Sequence, residues 1–395
     1  MGGLIYSIIY NLFSKISILL SSYLGLLMLN KHDYGLFSYY TMLIANLSIF
    51  FICGGGLSIN QAYSSNIKSN SEKEAILASH FLILIILSLL VSLFLVFDFK
   101  LYYVLAIFIS FFMGASSLIE GKMYATKNYK NMAVNAIVSF IIMLPLIYYF
   151  IKKYNILGAL FALLLYRFIL LSLNLYKSDG LVFIKKESLA LMFSKKNIQY
   201  LKKNSLPIFL SALCVAPVYF ICINIGQYFG LSYENLGEFS WFFQIYNLIV
   251  FFPGILVGFL VSKLNEDRNN INKIFKFYLL FSILIFILLI LFKNAVFFIS
   301  GLKESYHLNL MYYSMMIASF FYIIASSFSG YWLSIGKPRY GFYINLIWAC
   351  MTLILSYLML SNGFDYTAIF FGTALSYFLV VVLQFFTFIK VSNGK

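Results

Sequence analysis

Twelve long apolar runs divide the chain, at about 4–29, 35–61, 76–97, 101–120, 133–151, 156–176, 206–229, 236–262, 277–299, 309–335, 341–361 and 364–389. A helix crossing the hydrocarbon core needs roughly 20 predominantly apolar residues, and each run meets that length. Charged residues are confined almost entirely to the gaps. The pattern predicts an all-α polytopic membrane protein of about twelve transmembrane helices. The first run is too long for a cleavable signal and lacks a small-residue cleavage site, so it reads as the first spanning helix.

The longest gap, Lys177 to Asn204, holds seven lysines opposed by Asp179 and Glu187. It divides the chain into a six-helix bundle over 1–176, a basic connector over 177–204 and a second six-helix bundle over 205–395. Within it, Leu189, Met192, Phe193 and Tyr200 can share one face of a helix lying on the membrane surface. The segment reads equally well as a solvated basic loop.

Counting Lys and Arg in alternate gaps sets the orientation, because cytoplasmic loops carry the excess. With the N-terminus inside, the cytoplasmic gaps hold twenty and the outer gaps six, which places both termini and the connector in the cytoplasm. No gap is long enough to fold as a soluble domain, so an active site on a large outer loop is excluded and a transporter is favoured. The chain is 62% apolar and only 10% charged, outside the range of soluble domains. Its net charge of +15 lies in these gaps and follows membrane topology, so nucleic acid is excluded as a partner and the bilayer takes its place.

The two halves resemble each other. Tyr34-Gly35-Leu36-Phe37-Ser38-Tyr39-Tyr40 opens the second run, and Leu236-Gly237-Glu238-Phe239-Ser240-Trp241-Phe242 opens the eighth, 202 residues on. Lys127 and Asn135 match Lys337 and Asn345 at an offset of 210. Such weak self-similarity is the trace of an internal repeat, and six helices per half give both halves the same direction through the membrane.

Catalytic signatures are absent. The three histidines, His32, His80 and His307, read as interfacial polar residues near helix ends, and Cys53, Cys214, Cys222 and Cys350 show neither metal spacing nor a disulfide framework. No cofactor is expected, and the protein reads as a non-enzyme. The chemistry lies in two deep cations. Lys15 is some eleven residues into the first run, about 16 Å at 1.5 Å per residue, and Arg167 is too deep in the sixth to snorkel easily. A charge at that depth costs at least a few kcal/mol unless it meets water or a partner. Ser7, Asn11, Ser14, Lys15 and Ser22 form a polar stripe at helical spacing. Asn131, Asn135 and Ser139 form a weaker one in the fifth run, and Ser240, Gln244 and Asn247 another in the eighth. The candidate substrate-binding residues are therefore Lys15, Arg167, Asn11, Ser14, Asn135, Gln244 and Asn247. Structural bonds to neighbouring helices are the alternative role for each. The nearest acids, Glu120, Glu238 and Asp98, lie within a turn or two of a helix end. That leaves a net-positive interior, which suits an anionic cargo such as a phosphate or pyrophosphate head group.

Three further stretches carry a family resemblance: Asn30-Lys31-His32-Asp33-Tyr34-Gly35-Leu36-Phe37-Ser38, Gly330-Tyr331-Trp332-Leu333-Ser334-Ile335-Gly336-Lys337-Pro338-Arg339, and Asn362-Gly363-Phe364-Asp365-Tyr366-Thr367-Ala368. With the glycine-rich end of the second run, Gly54-Gly55-Gly56, the chain resembles polysaccharide flippases of the Wzx type. Their superfamily also contains multidrug and toxin extrusion (MATE) transporters. The resemblance covers nearly the whole length, through diffuse cues. It implies alternating access and movement of an undecaprenyl-pyrophosphate-linked oligosaccharide across the bacterial cytoplasmic (inner) membrane for O-antigen (lipopolysaccharide) or capsule assembly. A glycan polymerase and a chain-length regulator would be partners, and Lys15 matches the basic residue such families carry in the first helix. The alternatives are a MATE-like cation-coupled multidrug antiporter, disfavoured by the cationic interior, and a membrane glycan polymerase, disfavoured by the short outer gaps. The driving ion stays open, because no deep acid is evident.

Overall fold

A computed structural model describes residues 2–64, 69–95, 101–178, 186–266, 271–334 and 338–393, and among these the chain forms helices and no strands. The Asp98–Lys100 gap, Lys185 of the connector, and Lys337 of the repeat lie outside the described residues. In order the helices are α1 (Gly2–Met28), α2 (Lys31–Ile52), α3 (Gly55–Ser64), α4 (Asn70–Leu95), α5 (Leu101–Ala125), α6 (Tyr129–Lys177), α7 (Lys186–Leu191) and α8 (Lys195–Tyr200). A π-helical turn over Leu201–Ser205 follows, then α9 (Leu206–Leu213), α10 (Ala216–Tyr228), α11 (Tyr233–Glu266), α12 (Ile271–Leu291), α13 (Lys293–Ser300), α14 (Tyr306–Ser334), α15 (Pro338–Ser361) and α16 (Thr367–Asn393). Ten helical stretches among the described residues are long and apolar enough to cross a membrane. All twelve apolar runs of the sequence fall on helices.

Two of those runs share α6. At 49 residues it would extend about 74 Å if straight, more than twice the hydrocarbon thickness. It is a hairpin instead. Asn155 has φ 50 and ψ −128, outside helical geometry. Gly158 follows so closely on this turn that a Cβ there would collide with the Phe150 carbonyl oxygen. The two arms meet along their length. Asn135 Nδ2 donates to Asn174 Oδ1 (2.9 Å), and Asn128 Nδ2 donates to the Lys177 carbonyl (3.0 Å).

The chain forms two compact units, Met1–Ala216 and Pro217–Lys395. In the first, α1 packs on α6, and α5 is shared by α2, α3, α4 and α6. Its core contains Tyr34, Phe37, Met143, Ile147 and Tyr166 around α2 and α6, and Phe51, Ile59, Leu84 and Leu118 around α3 to α5. In the second, α14 packs against α11, α12 and α16, and α15 packs on α16.

The second apolar run is broken. Cys53 (φ 47) and Gly54 (φ 73) are left-handed and separate α2 from α3. The glycines after the break allow helices to approach without side chains between them. A Cβ on Gly54 would strike the Ser205 carbonyl, and one on Gly121 of α5 would strike the Gly56 carbonyl. The connector uses this surface and packs on the first unit. Ser188 Oγ donates to Glu74 (2.9 Å), Asn197 Nδ2 to Ser79 Oγ (2.7 Å), and Lys196 pairs with Glu72. Met192 is buried, whereas Leu189 and Phe193 are exposed. Ser205 reaches furthest in, with its hydroxyl 2.7 Å from that of Ser58 and 3.1 Å from His80 Nε2.

The stretch repeated 202 residues apart occupies equivalent places. Asn30 caps α2 by accepting from the Asp33 N–H (2.8 Å). Ser232 precedes α11 and accepts from the Asn235 N–H (3.3 Å) in the same way. Tyr34 and Phe37 are buried in one unit, and Leu236 and Phe239 in the other.

The glycine contacts generate a stability prediction. Gly121→Ala inserts a methyl against backbone that cannot rotate away, so it should destabilise the protein by roughly 1–3 kcal/mol. Gly341 has open space around its would-be Cβ. Gly341→Ala should leave stability unchanged or raise it by about 0.5–1 kcal/mol. Thermal unfolding of the purified variants in detergent measures both, and equal midpoints would refute the contact.

Candidate functional site

Five of the seven candidate residues belong to the first unit, and four of them gather around α1. Tyrosine hydroxyls from three helices meet α1, two of them at residues of the polar stripe. Asn11 Nδ2 donates to Tyr124 Oη of α5 (3.0 Å) and to the Ser7 carbonyl (2.8 Å). Ser17 Oγ donates to Tyr166 Oη of α6 (3.0 Å) and to the Ser14 carbonyl (2.8 Å). Ser22 Oγ and Tyr34 Oη of α2 lie 2.8 Å apart. Tyrosine suits this position because an apolar ring packs in the bundle while its hydroxyl meets the stripe.

The two deep cations converge. Lys15 lies close enough to Arg167 to feel its charge, and it stays exposed in the protein itself. Arg167, on the second arm of α6, is only 8% exposed. Its guanidinium carbon stands 5.2 Å from the centre of the Tyr166 ring. Among the described residues it has no hydrogen-bond or ion-pair partner. Two like charges from helices far apart in sequence thus share one region of the bundle, where neither neutralises the other.

Glu120 keeps its expected place within two turns of a helix end. It is five residues inside the end of α5 and accepts from Ser116 Oγ (2.9 Å). The helix turns it toward α1, beside Tyr10 and Tyr124. Depth measured from a helix end missed this, because the helix face decides what a side chain meets. Ser116, Glu120 and Tyr124 recur every fourth residue, and that polar spacing was readable in the sequence.

Asn135 is buried and paired with Asn174, which makes it a clamp between the arms of α6. Gln244 and Asn247 lie half-buried on α11 in the second unit. Beside them the buried Ser240 hydroxyl has no hydrogen-bond partner among the described residues. The interior of that unit is aromatic: Tyr219 and Tyr246 join their hydroxyls (3.2 Å), and Trp348 stacks on Tyr377 at 5.1 Å.

One histidine departs from the interfacial reading. His80 is fully buried ten residues into α4, where Nδ1 meets the Ile76 carbonyl (2.9 Å) and Nε2 meets Ser205. Its partner Ser205, just past the connector, is 125 residues away, which no local pattern reveals. His307, at the start of α14, sits between Glu238 and Asp365. Among the described residues no three His, Cys, Asp or Glu side chains are grouped to hold a metal ion.

No family model and no curated protein matches the chain. Solved structures do. A multidrug-resistance MATE transporter of the MOP superfamily, in an inward-facing conformation, superposes with a TM-score of 0.75 at 15% identity, covering 98% of this chain and 95% of that one. The lipid II flippase MurJ, inward closed, superposes at 0.73 with 16% identity, covering 95% and 87%. A MOP-superfamily transporter from Pyrococcus furiosus, described as having a binding pocket of reverse polarity that suggests a different function, superposes at 0.57 with 14% identity, covering 99% and 98%. The chain is a multi-pass membrane protein with the two-bundle fold of these transporters and flippases.

Proposed function

We propose that the protein is a flippase of the Wzx type that moves undecaprenyl-pyrophosphate-linked oligosaccharide repeat units across the bacterial inner membrane by alternating access, for O-antigen or capsule assembly. The observation that carries this reading is the pairing of Lys15 with Arg167 inside the first unit. Two adjacent cations repel each other, and a pyrophosphate bearing two or more negative charges relieves that repulsion when it binds. Lys15 offers a mobile point charge and Arg167 a planar fork, which together match a phosphate group that must also be released. Asn11, Ser14 and the surrounding tyrosines supply neutral donors for the same group or for the first sugar. Gln244 and Asn247 are the matching polar positions of the second unit. The fold supports the reading through MurJ, whose own cargo is lipid II. The polymerase and chain-length regulator are the partners that would receive the exported unit.

Removing a charged hydrogen-bond partner costs about 1.5–3 kcal/mol, or roughly ten- to a hundredfold. Lys15→Ala should therefore lower surface glycan by at least about tenfold per molecule of folded transporter. Lys15→Arg should retain part of the activity, and Lys15→Glu should abolish it. Arg167→Ala should behave like Lys15→Ala. Lipid-linked repeat units should accumulate on the cytoplasmic leaflet in each defective strain. Normal glycan per folded molecule in Lys15→Ala would remove Lys15 as the head-group ligand.

A second reading, a MATE-like cation-coupled antiporter, is favoured by Glu120, whose carboxylate lies beside Tyr10 of α1 and Tyr124 of α5. The two readings part at one substitution. Glu120→Gln removes the acid an antiporter needs for a cationic cargo, and it makes the region more positive. Under the flippase reading surface glycan should persist in Glu120→Gln. Loss of drug resistance with glycan intact would instead establish the antiporter.

Orientation is tested separately. The charge distribution places the connector and both termini in the cytoplasm. In a background free of other cysteines, Gln199→Cys, an exposed position of α8, should resist a membrane-impermeant maleimide in intact spheroplasts and react after lysis. Reaction in intact spheroplasts would invert the topology.

A further inference from the structure

We propose that Glu238, His307 and Asp365 form a proton-operated latch that ties together three helix ends at one mouth of the second unit. The residues come from the second turn of α11, the first turn of α14 and the turn between α15 and α16. His307 Nδ1 contacts Asp365 Oδ2, and Nε2 lies 3.6 Å from Glu238 Oε2. The first contact is a charge-assisted hydrogen bond. The second is an ion-pair distance, too long for a direct hydrogen bond.

The geometry requires a particular protonation state. Both ring nitrogens face carboxylate oxygens, which accept and do not donate when ionised. A neutral imidazole has one N–H and one lone pair, so one of its nitrogens would turn a lone pair toward an anion. Only the imidazolium satisfies both sides. Loss of its proton leaves two carboxylates around a neutral ring, and the attraction linking α11 to the α15–α16 turn disappears.

The surroundings isolate this triad. Glu234 of α11 is exposed, one turn before Glu238. Ahead of α14, Glu304 is engaged by Lys293 at 3.0 Å, and Lys303 is exposed beside it. The end turns of α12 and α15 and the first turns of α16 carry no acid, lysine, arginine or histidine. The charged groups that act on His307 are Asp365 and Glu238.

Asp365 also holds the start of α16. Its Oδ1 accepts from the Thr367 N–H (2.5 Å), and its carbonyl accepts from the Ala368 N–H (3.0 Å). Tyr366, between them, is buried with its hydroxyl toward the Ile223 carbonyl of α10 (3.4 Å). Opening the latch therefore frees the α15–α16 turn, while α16 keeps its own cap. Burial pushes the Asp365 carboxyl up, but the bonds from His307 and Thr367 outweigh it and hold it below its ordinary value. The sign follows. The latch is closed with Asp365 ionised and His307 protonated. It is lost as pH rises through the histidine's titration, and again as pH falls through the lowered Asp365 value.

The test uses the full chain in lipid nanodiscs, with Cys53, Cys214, Cys222 and Cys350 replaced by Ser and spin labels at Tyr306→Cys and Ser361→Cys, both exposed positions. Pulsed dipolar spectroscopy reads the distance between α14 and the α15–α16 turn at about pH 6 and about pH 10.5, the upper value lying well above the ordinary histidine midpoint of ~6.5 because both flanking carboxylates favour the charged ring. One narrow distance is expected at the lower pH, and a longer or at least twofold broader distribution at the higher. His307→Gln should give the broad distribution at both. Should His307→Gln fail to fold, Asp365→Asn serves the same purpose, since it keeps a hydrogen-bond acceptor without the charge and should also lose the pH response. Identical wild-type distributions at the two pH values, or a wild-type pH response in either variant, would overturn the latch.

Discussion

The contact on which the first unit depends is the close approach of backbone to backbone at the glycine break between α2 and α3. A membrane interior leaves no water to satisfy an interrupted helix, so a break there must be repaired by protein. Here the repair is local and distant at once. The Cys53 N–H still reaches the Ile49 carbonyl (3.3 Å), and the Ser58 N–H reaches the Gly54 carbonyl (3.3 Å). The connector then inserts Ser205, whose hydroxyl bridges Ser58 and His80. On the other side of α3, Gly56 rests directly on Gly121 of α5. Glu120 and Tyr124 lie beside that glycine, so the same contact that seats α3 also sets which α5 residues meet α1. The polar stripe of α1 thus inherits its neighbours from a packing constraint one helix away.

The electrostatics of the region follow from that placement. Lys15 and Arg167 would each be expensive in hydrocarbon alone, and together they repel. Tyrosine hydroxyls from α5, α6 and α2 meet α1 with neutral polar groups and leave those charges as they are.

Long runs of apolar residues made the number and place of the helices legible, because hydrocarbon thickness imposes a length that few other structures imitate. The capped start of α2 was legible too, since Asn30 and Asp33 act within one turn. The turn at Asn155 was legible as well, since it falls in the gap between the runs 133–151 and 156–176. Two features were hidden for a shared reason. The burial of His80 against Ser205 and the turning of Glu120 toward α1 each depend on a partner at long range. The fourfold spacing of Ser116, Glu120 and Tyr124 was present but weak in a chain rich in serine and tyrosine. Gln244 and Asn247 remain half-buried positions with no bond among the described residues, and the sequence pattern that chose them speaks only to their shared face.

The repeated stretch shows how one scaffold carries two chemistries. Asn30 and Ser232 are equivalent caps, the Asp33 and Asn235 N–H groups donate to them, and Phe37 and Phe239 bury the same turn. At the position between, Leu36 of the first unit corresponds to Glu238 of the second. Leu36 packs against the apolar core of α2 and α6, whereas Glu238 reaches His307. A single exchange on a conserved geometry of cap and core thus separates an end held by packing from one held by charge. Packing does not respond to pH and an acid–imidazolium contact does. The deep cations lie in the unit whose repeated stretch is apolar at this position, and the titratable cluster lies in the other.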